Sequence, residues 1–501
     1  MVKPVNSREF KNFINGRWLP SSSGRTFENH NPANTTMVGD NFPLSEKDDI
    51  ELAVASARRA FPAWRKLGMV KRAELLWKAA RLLEDEKKNH AKIVSYDSGK
   101  QINEATADVV EALHMLQYAF AYGHIGKHQQ GGVFADEVAE KFCFVVEEPR
   151  GVVVAIAPWN FPWAIPMWLT ALSLVTGNVV ILKPSEETPL CGHSIADTFN
   201  NAGVPDGVFQ VVHGTGEDAG WPLVEHSDVN TVLFTGSYEV GAKIKAEVAR
   251  HFNKNCTIET GSKSAVIVLK DANIDMAVKA GLASAFKTAG QRFVSVGRII
   301  VERDIYEKYV DKFVSIAKRI KVGNPLEPET FYGPMINAAG VAKGKMYNQL
   351  ARDEGFTVLL DRENDVPDIP GYWLGPFVYT GNWRKARCLT EEAFAPHVAI
   401  IPADDAEHAL EIYNDTNYGL SCAIFTDNVH KALKGILEAE CGIAYNNLPC
   451  IGAGVRMPFG GVKKSGGLTP SAAGLLPAIT HTKSITLNLM EEIIMAQGLK
   501  I

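Results

Sequence analysis

The sequence predicts an α/β fold that is divided into at least two domains. A chain of 501 residues is longer than a single hydrophobic core supports. Between residues 150 and 270, short runs of β-branched residues alternate with helical patterns, and a second series of strands and helices follows Asp271. Such alternation is typical of parallel sheets with helices on both faces. We therefore place the start of a second α/β domain near residue 262.

Helices are expected before the first series of strands. In residues 46–124, apolar side chains recur every three or four positions over Glu51–Ala60, Lys71–Asn89 and Ala105–Tyr122. The strands of the first series are expected in GVVVAIA, NVVILK, GVFQVVHG, TVLFTG and SAVIVLK. The second series is expected to comprise strands in GRIIVE, PFVYTG, HVAIIPA and CAIFT, with helices at residues 305–320 and 405–413. No Ser- or Pro-rich linker separates the two series, so we expect a tight interface with a cleft.

One apolar segment is long enough on its face to span a bilayer. From Gly151 to Leu182 the chain contains no Asp, Glu, Lys or Arg. However, Pro158, Pro162 and Pro166 would interrupt a spanning helix. We therefore predict a buried strand–helix–strand unit of a soluble protein and no membrane partner.

Composition narrows the class further. A net charge of −5 gives no reason to expect nucleic-acid binding. The seven cysteines form no CxxC pair and no metal-ligand spacing, which favours a reducing compartment and no metal site. The N-terminal stretch MVKPVNSREF lacks the apolar core of a secretory signal, so a cytoplasmic location is expected.

Three polar turns follow predicted strands and suggest a dinucleotide site. They are LKPSEETP (182–189), GTGEDAG (214–220) and FTGSYEVG (234–241). The glycines of GTGEDAG and FTGSYEVG do not have the spacing of the GxGxxG fingerprint. Both segments are also compatible with an ordinary strand-to-helix turn. Their shared position favours binding, because open α/β sheets hold ligands at the carboxyl ends of their strands. A lysine there can reach phosphate or ribose, and a glutamate can accept from a ribose diol.

Eight motifs taken together are far more specific than any one of them. In chain order they are APWNFPWAIP (157–166), KPSEETP (183–189), FTGSYEVG (234–241), IETGSKS (258–264), GQR-x-x-S (290–295), EEAFAPHVAI (391–400), NDTNYGLS (414–421) and PFGGVKKSG (458–466). This set resembles the aldehyde dehydrogenase superfamily over essentially the whole chain. The form ETGSKS is also similar to the branch that acts on semialdehydes such as glutamate semialdehyde.

The resemblance implies a chain in three parts. Residues 1–125 and 149–261 would form a Rossmann-like NAD(P)-binding domain, and residues 262–470 an α/β catalytic domain. Residues 126–148 and 471–501 would form a small β oligomerisation segment, in which a strand pair joins a C-terminal strand near Ser484–Leu489. The expected assembly is a homodimer or homotetramer.

The cofactor implied by the resemblance is NAD, with NADP possible. Lys183 and Glu186 resemble the adenosine-ribose contacts, and Ser237 resembles the pyrophosphate contact at a helix N-terminus. Glu392 and Phe394 match the pair that positions the nicotinamide riboside. A carboxylate at position 186 would repel a 2′-phosphate, which favours NAD. The further cofactor contacts expected are Trp159, Ser185, Gly216, Phe234, Gly236 and Gly241.

The implied reaction is the oxidation of a small aldehyde. Asn160 resembles the side-chain donor of an oxyanion hole, and Glu259 resembles the base that activates water for deacylation. A salt-bridged carboxylate at a strand end is the alternative for Glu259. Gly460 and Gly461 would border the aldehyde entrance. Hydride leaves readily only from a tetrahedral carbon that bears an oxyanion, so a nucleophile, for which a thiolate is well suited, must first attack the aldehyde.

That thiol is missing from the motif in which the family carries it. The family places its cysteine in GQxC, thirty-four residues beyond the glutamate, and here that position is Phe293. A benzyl group has no lone pair, so covalent catalysis by this residue is excluded. Ser295 lacks a visible base partner, and Cys450, near the expected aldehyde entrance, is more simply explained as a packed loop residue.

Three interpretations stay open at the level of sequence. The chain is a dehydrogenase whose nucleophile has been replaced, a pseudoenzyme with a binding or structural role, or a protein that runs non-covalent chemistry with Asn160 and Glu259. Four retained residues argue against long neutral drift and favour the first interpretation: Asn160, Lys183, Glu259 and Glu392.

Overall fold

The computed structural model describes residues 7–125, 132–452, 454–467, 469–495 and 497. Two seven-stranded sheets form its centre, and a three-stranded antiparallel sheet lies apart from both. The α/β class predicted from the sequence is confirmed.

The strands are numbered in chain order. They are β1 (Asn12–Ile14), β2 (Arg17–Leu19), β3 (Thr26–Asn29), β4 (Asp40–Pro43), β5 (Val133–Phe134), β6 (Lys141–Pro149), β7 (Val152–Ile156), β8 (Val179–Lys183), β9 (Phe209–Val211), β10 (Thr231–Thr235), β11 (Asn255–Glu259), β12 (Ser264–Val268), β13 (Val296–Glu302), β14 (Thr357–Asp361), β15 (Phe377–Thr380), β16 (His397–Ala403), β17 (Tyr418–Gly419), β18 (Ser421–Phe425), β19 (Ile443–Asn446), β20 (Pro458–Phe459), β21 (Val462–Lys463), β22 (Ser471–Ala472) and β23 (Thr480–Asn488).

The α-helices are numbered in the same way. They are α1 (Lys47–Lys66), α2 (Met69–Ser98), α3 (Ile102–Ile125), α4 (Ala164–Thr176), α5 (Pro189–Asn201), α6 (Trp221–Glu225), α7 (Tyr238–Val248), α8 (Ile274–Phe286), α9 (Tyr306–Ala317), α10 (Ala338–Asp353), α11 (Arg387–Thr390), α12 (Ala406–Asn414), α13 (Val429–Glu438) and α14 (Leu476–Ile479).

The first sheet has the order β11-β10-β7-β8-β9-β1-β2. Strands β7 to β11 in this sheet run parallel, and β1 and β2 close one edge as an antiparallel hairpin. The apolar stretch between Gly151 and Leu182 forms β7, α4 and β8, as expected. Every residue of α4 is buried, because this helix packs between the sheet and helices α2 and α3. Because α4 has no surface in contact with water, it needs no charged residues.

The second sheet has the order β14-β15-β16-β13-β12-β18-β19, in which only β14 is antiparallel to its neighbour. The segment SAVIVLK, predicted with the first series, instead forms β12 at the middle of this second sheet. Its apolar side chains lie in the two buried clusters that cover the faces of the second sheet, and none lies in the cluster of the first sheet. A buried β-branched run fits either sheet equally well, so its periodicity could not decide the assignment.

The three-stranded sheet pairs β23 with β6 and β6 with β5, all antiparallel. The C-terminal strand predicted near Ser484–Leu489 thus exists, and Ser484 lies opposite Val145. Residues 126–131 of the predicted oligomerisation segment, and residues 496 and 498–501, lie outside the described residues.

The two large sheets meet across an apolar interface. Phe293, Val294 and Phe459 belong to the same buried cluster as the strands of the first sheet. Ser465–Gly467 runs antiparallel beside the last residues of β11, where Gly467 N donates to Ile258 O at 2.7 Å. Among the described residues, no helix is both long and apolar enough to cross a membrane.

Candidate active site

A cleft of about 330 Å³ opens where the carboxyl ends of β7 and β10 face the second sheet. It contains seven of the predicted site residues from four separate segments: Trp159, Asn160, Gly236, Ser237, Phe293, Glu392 and Phe394. Trp159, Gly236 and Ser237 follow the carboxyl ends of β7 and β10, as expected for an open parallel sheet. Phe293, Glu392 and Phe394 instead precede β13 and β16 of the second sheet, so the cleft forms where loops of the two sheets face each other.

Lys183 and Glu186 lie at the end of β8, the strand next to β7, and not in the cleft itself. Lys183 is buried, and its Nζ lies 2.6 Å from Glu186 Oε2. Burial raises the pKa of Glu186, but the Lys183 ammonium and the backbone N–H of Gly216 outweigh it, so the pKa is lowered. Ser185 uses its hydroxyl to accept from Glu187 N at 3.2 Å, which shapes the turn.

Ser237 is the N-cap of the eleven-residue helix α7, and its Oγ accepts from Val240 N at 3.3 Å. The free N–H groups of this helix terminus border the cleft and favour an anion. Phe234 and Gly241 do not line the cleft but support the turn from beneath. A Cβ at Gly236 would overlap the Phe234 ring, so glycine is needed there.

Asn160 ties two loops of the site together. It is 2% exposed, and its Nδ2 donates to the Gln291 carbonyl at 2.9 Å. Its Oδ1 has no partner among the described residues. One amide N–H of Asn160 is thus used to hold the loop that carries Phe293, and the second remains for a ligand oxygen.

Glu259 ends β11 and is 3% exposed. Its carboxyl faces Gly460 and does not line the cleft. The nearest donors, the backbone N–H groups of Gly461 and Ser471, make no hydrogen bond of normal geometry to it. Burial therefore raises its pKa well above the usual value, and these donors lower it only in part. The alternative of a salt-bridged carboxylate is wrong, because no cation among the described residues pairs with it.

Phe293 is 7% exposed and joins a cluster of aromatic rings. Its centroid lies 5.3 Å from that of Phe459, 6.0 Å from that of Phe161 and 6.4 Å from that of Trp168. Its carbonyl accepts from the Ser262 hydroxyl. The ring thus fills the space between the cleft and the aromatic side chains beyond it.

The loop before Phe293 has an unusual backbone. Thr288, Ala289 and Gly290 have φ values of 56°, 53° and 70°, in the left-handed region that non-glycine residues rarely adopt. A Cβ at Gly290 would overlap the Ala395 carbonyl, so only glycine fits at this point. The Gln291 side chain closes the turn by accepting from Ile336 N at 3.0 Å.

Glu392 and Phe394 lie on the opposite wall of the cleft. Glu392 accepts from Ser262 N at 2.7 Å. Burial raises its pKa to about 7, although the Ser262 N–H lowers it in part. Phe394 has a φ of 55°, and its ring meets Trp159 edge-on with centroids 5.7 Å apart. Both aromatic residues line the cleft.

No alternative nucleophile lies ready among the described residues. Cys450 is fully buried, its Sγ donates to the Ala265 carbonyl, and burial raises its pKa to about 12. It is an inert packed thiol. Ser295 Oγ is buried without a hydrogen-bond partner, so no base activates it. The described residues also hold no cluster of three potential metal ligands.

Sequence reasoning missed one wall of the cleft. Ile336, Asn337, Gly340 and Lys343, around the start of α10, line it. Asn337 caps α10 and also donates from Nδ2 to Glu187 Oε1 at 2.6 Å, which links the two sides of the cleft. The sequence Asn-Ala-Ala-Gly is an N-cap signal, but nothing local indicates that this helix start meets the cleft.

The comparisons with known proteins agree with this geometry. The model of the aldehyde dehydrogenase family matches residues 18–485. Alpha-ketoglutaric semialdehyde dehydrogenase of Bacillus subtilis is 34% identical over 458 residues, covering 91% of this chain and 93% of the relative.

Two solved structures share the fold over nearly their full length. HpcC from Thermus thermophilus has a TM-score of 0.92 at 32% identity, covering 97% of this chain and 94% of that one. Betaine aldehyde dehydrogenase from Staphylococcus aureus, in complex with NAD+, has a TM-score of 0.91 at 28% identity, covering 97% and 96%. The chain belongs to the aldehyde dehydrogenase family.

The burial of Glu259 gives a pH-dependent stability that can be measured. Its folded pKa lies above the ordinary value of 4.5, so the folded protein holds a proton that the unfolded chain releases. The native chain therefore loses stability relative to Glu259→Gln as pH rises from 4.5 to the folded pKa, by up to about 1.4 kcal/mol per pH unit.

Urea unfolding between pH 5 and pH 8 measures this difference in the free energy of unfolding. Glu84→Gln, an exposed change on α2, serves as control and should not alter the pH dependence. A difference between Glu259→Gln and the native chain that stays constant with pH would contradict the burial argument.

Proposed function

We propose that this chain is an NAD-binding aldehyde dehydrogenase framework whose covalent step is lost because Phe293 occupies the nucleophile position. With a thiol at residue 293, the framework would oxidise an aldehyde or semialdehyde to the carboxylic acid. The observation that carries this proposal is the Phe293 ring, which packs among Phe161, Trp168 and Phe459 directly beside the cleft.

The groups around residue 293 suit a covalent dehydrogenase. The free amide N–H of Asn160 and a backbone N–H would hold the oxyanion that forms when a thiolate attacks a carbonyl. Glu259, with its raised pKa, would take a proton from water during deacylation. NAD, when bound, would accept the hydride.

The cofactor proposal rests on charge and on the helix terminus. The free N–H groups at the start of α7, capped by Ser237, suit a pyrophosphate, and Lys183 and Glu186 present a cation and a hydrogen-bond acceptor to a ribose. A 2′-phosphate would meet the Glu186 carboxylate, which favours NAD over NADP. The betaine aldehyde dehydrogenase structure in complex with NAD+ supports the same choice.

The nicotinamide end is proposed to be displaced. Phe293 and Phe394 both line the cleft, and Phe293 is larger than the cysteine that the family's loop carries. A semialdehyde substrate class is proposed from the motif ETGSKS and from the Bacillus subtilis relative. A pseudoenzyme that binds NAD without turnover is the second candidate, since the aromatic cluster closes the aldehyde side.

The division into domains is proposed from the three largest sheets. We assign cofactor binding to residues 1–125 and 149–261, catalysis to residues 262–470, and assembly to residues 126–148 and 471–501. All seven cysteines are unpaired, which supports a reducing compartment such as the cytoplasm.

A homodimer or homotetramer is proposed from exposed apolar side chains. On α13, Val429, Leu433 and Leu437 are 71%, 56% and 76% exposed. On the three-stranded sheet, the exposed apolar residues are Val133, Phe134, Phe142 and Leu487. Patches of this kind on a water-facing surface mark contacts with another protein surface.

The cofactor proposal can be tested by calorimetry with NAD and with ADP-ribose, which lacks the nicotinamide. If Phe293 displaces the nicotinamide, both should bind the native chain with affinities within about threefold, since a tenfold difference needs 1.4 kcal/mol of added contact. Phe293→Ala should restore a preference for NAD. NADP should bind more weakly than NAD, and Glu186→Gln should narrow that gap.

Two outcomes would count against the cofactor proposal. If neither ligand binds the folded native chain, the NAD site is not functional. If NAD binds the native chain at least tenfold more tightly than ADP-ribose, the nicotinamide is not displaced.

The nucleophile proposal can be tested by Phe293→Cys. The native chain should show essentially no NAD-dependent aldehyde oxidation, because losing a nucleophile costs on the order of 10⁶ in turnover, or roughly 8 kcal/mol of barrier. Phe293→Cys should restore activity over a panel of aldehydes and semialdehydes. Adding Asn160→Ala should then slow it about 10²–10³-fold.

Phe293→Ala is the matched control, because it opens the same space without a thiol. Phe293→Ala should bind NAD and oxidise no aldehyde. Phe293→Ser should recover little activity, because no base is present to activate its hydroxyl. If Phe293→Cys folds, binds NAD, reacts with iodoacetamide and still oxidises no aldehyde, the second candidate replaces the first.

The assembly proposal can be tested by light scattering after size-exclusion chromatography. The native chain should elute as a dimer or tetramer, and the double change Leu433→Glu with Leu437→Glu should reduce its mass, since charge on a buried apolar contact is costly. The control is Leu326→Glu with Ile369→Glu, which adds the same charge at other exposed sites. It should leave the measured mass unchanged. A native chain that runs as a monomer would refute the proposal.

A further inference from the structure

Helix α3 carries acidic side chains that are buried in the protein, and two of them, Glu104 and Asp108, bind segments of the candidate site. Glu104 and Asp108 are four residues apart and therefore share one face of the helix. Their side chains are 7% and 0% exposed. Burying a carboxylate is unfavourable unless it is fully partnered, so the partners of these two groups show what the helix holds in place.

Asp108 anchors the segment that contains Asn160. Its Oδ1 accepts from Ala164 N, the first residue of α4, at 2.7 Å. Its Oδ2 accepts from Lys100 Nζ at 2.9 Å, in a pair that solvent does not reach. The start of α4 is thereby fixed to α3, four residues after Asn160.

Glu104 anchors the loop that contains Phe293. Its carboxylate accepts from Thr288 N at 3.2 Å, from Thr288 Oγ1 at 2.8 Å and from the Arg292 guanidinium. Thr288 and Ala289 are the two non-glycine residues of this loop that have a left-handed backbone. Non-glycine residues rarely adopt this conformation, and it persists only where the surrounding structure holds it.

The two anchors meet at Phe161, the residue after Asn160. Lys100 Nζ lies 3.8 Å above the centre of the Phe161 ring, and the Arg292 guanidinium carbon lies 5.2 Å from it. The same ring packs against Phe293. Each of these cations pairs with one carboxylate of α3. The same helix therefore holds both cation–π contacts to the Phe161 ring.

We propose that Glu104 is a positioning residue that sets where residue 293 stands relative to the amide of Asn160, with Asp108 fixing the Asn160 side of the same gap. Glu104 touches neither cleft nor ligand space, and it acts through Thr288 and Arg292. This inference rests on the proposed function only where activity is the readout. The position of the loop can also be read without any activity.

The first experiment measures amide hydrogen exchange of residues 287–295 in the native background. Glu104→Gln keeps the size of the side chain and removes the charge that holds Arg292. It should speed exchange in this loop at least tenfold and leave the rest of the chain unchanged. Thr288→Val, a milder isosteric change, should speed it in the same place to a smaller extent.

Glu302→Gln is the matched control. Glu302 is also a buried carboxylate, and it accepts from one backbone N–H, Lys270 N at 2.8 Å, and from the cation of Lys270 at 3.2 Å. It lies at the far end of β13 from the loop. Exchange in residues 287–295 should be the same in Glu302→Gln as in the native chain.

The second experiment uses Phe293→Cys as background and separates kcat from KM. Glu104→Gln should lower kcat about tenfold or more, because a misplacement near 1 Å can cost 10²-fold. The affinity for NAD should change less than twofold. Glu302→Gln should change neither quantity.

Loop exchange in Glu104→Gln that matches the native chain would overturn the inference. It would also be overturned if Glu302→Gln lowered kcat or loosened the loop as much as Glu104→Gln, since a general loss of stability would then be the cause. If Phe293→Cys by itself is inactive, the proposed function fails, and the exchange experiment still decides the role of Glu104.

Discussion

The turn Lys287–Gly290, which connects α8 to the loop before β13, is the constraint on which the rest of the site depends. Its left-handed backbone is imposed from several sides at once: Glu104 holds Thr288, Asn160 holds the Gln291 carbonyl, and the Ala395 carbonyl leaves no room for a side chain at Gly290. These contacts come from α3, from the loop after β7 and from the second sheet. The site therefore exists only when both sheets are assembled around the turn.

Residue 293 packs well in its surroundings without carrying a reactive group. The Phe293 ring extends an aromatic cluster, while hydrogen bonds and Gly290 hold the loop before it. Burying a phenylalanine is worth about 2–3 kcal/mol, so the side chain stabilises the fold, but a benzyl group has no lone pair with which to attack a carbonyl. Stability and reactivity at this position thus depend on different properties of the same residue.

Buried acids give the site its electrostatic character. Glu259 and Glu392 both hold raised pKa values because burial disfavours their charged forms. Glu186 has the opposite shift, since a buried lysine lies beside it. The pKa values of these three glutamates therefore shift in different directions: burial dominates at Glu259 and Glu392, whereas Lys183 and backbone N–H groups outweigh burial at Glu186.

The sequence by itself determined the class of fold and the identity of seven cleft residues. Strand–helix alternation requires parallel sheets, and parallel strands bring their carboxyl ends together, so Trp159 and Ser237 had to converge. Glu392 precedes β16 and joins them only because the second sheet packs against the first. Tertiary structure decided the rest. The sheet to which SAVIVLK belongs, the contribution of α10 to the cleft, and the inward face of α3 with Glu104 all depend on contacts between distant segments. A helical repeat shows which residues share a face, but which element covers that face is set by the packing of the whole chain.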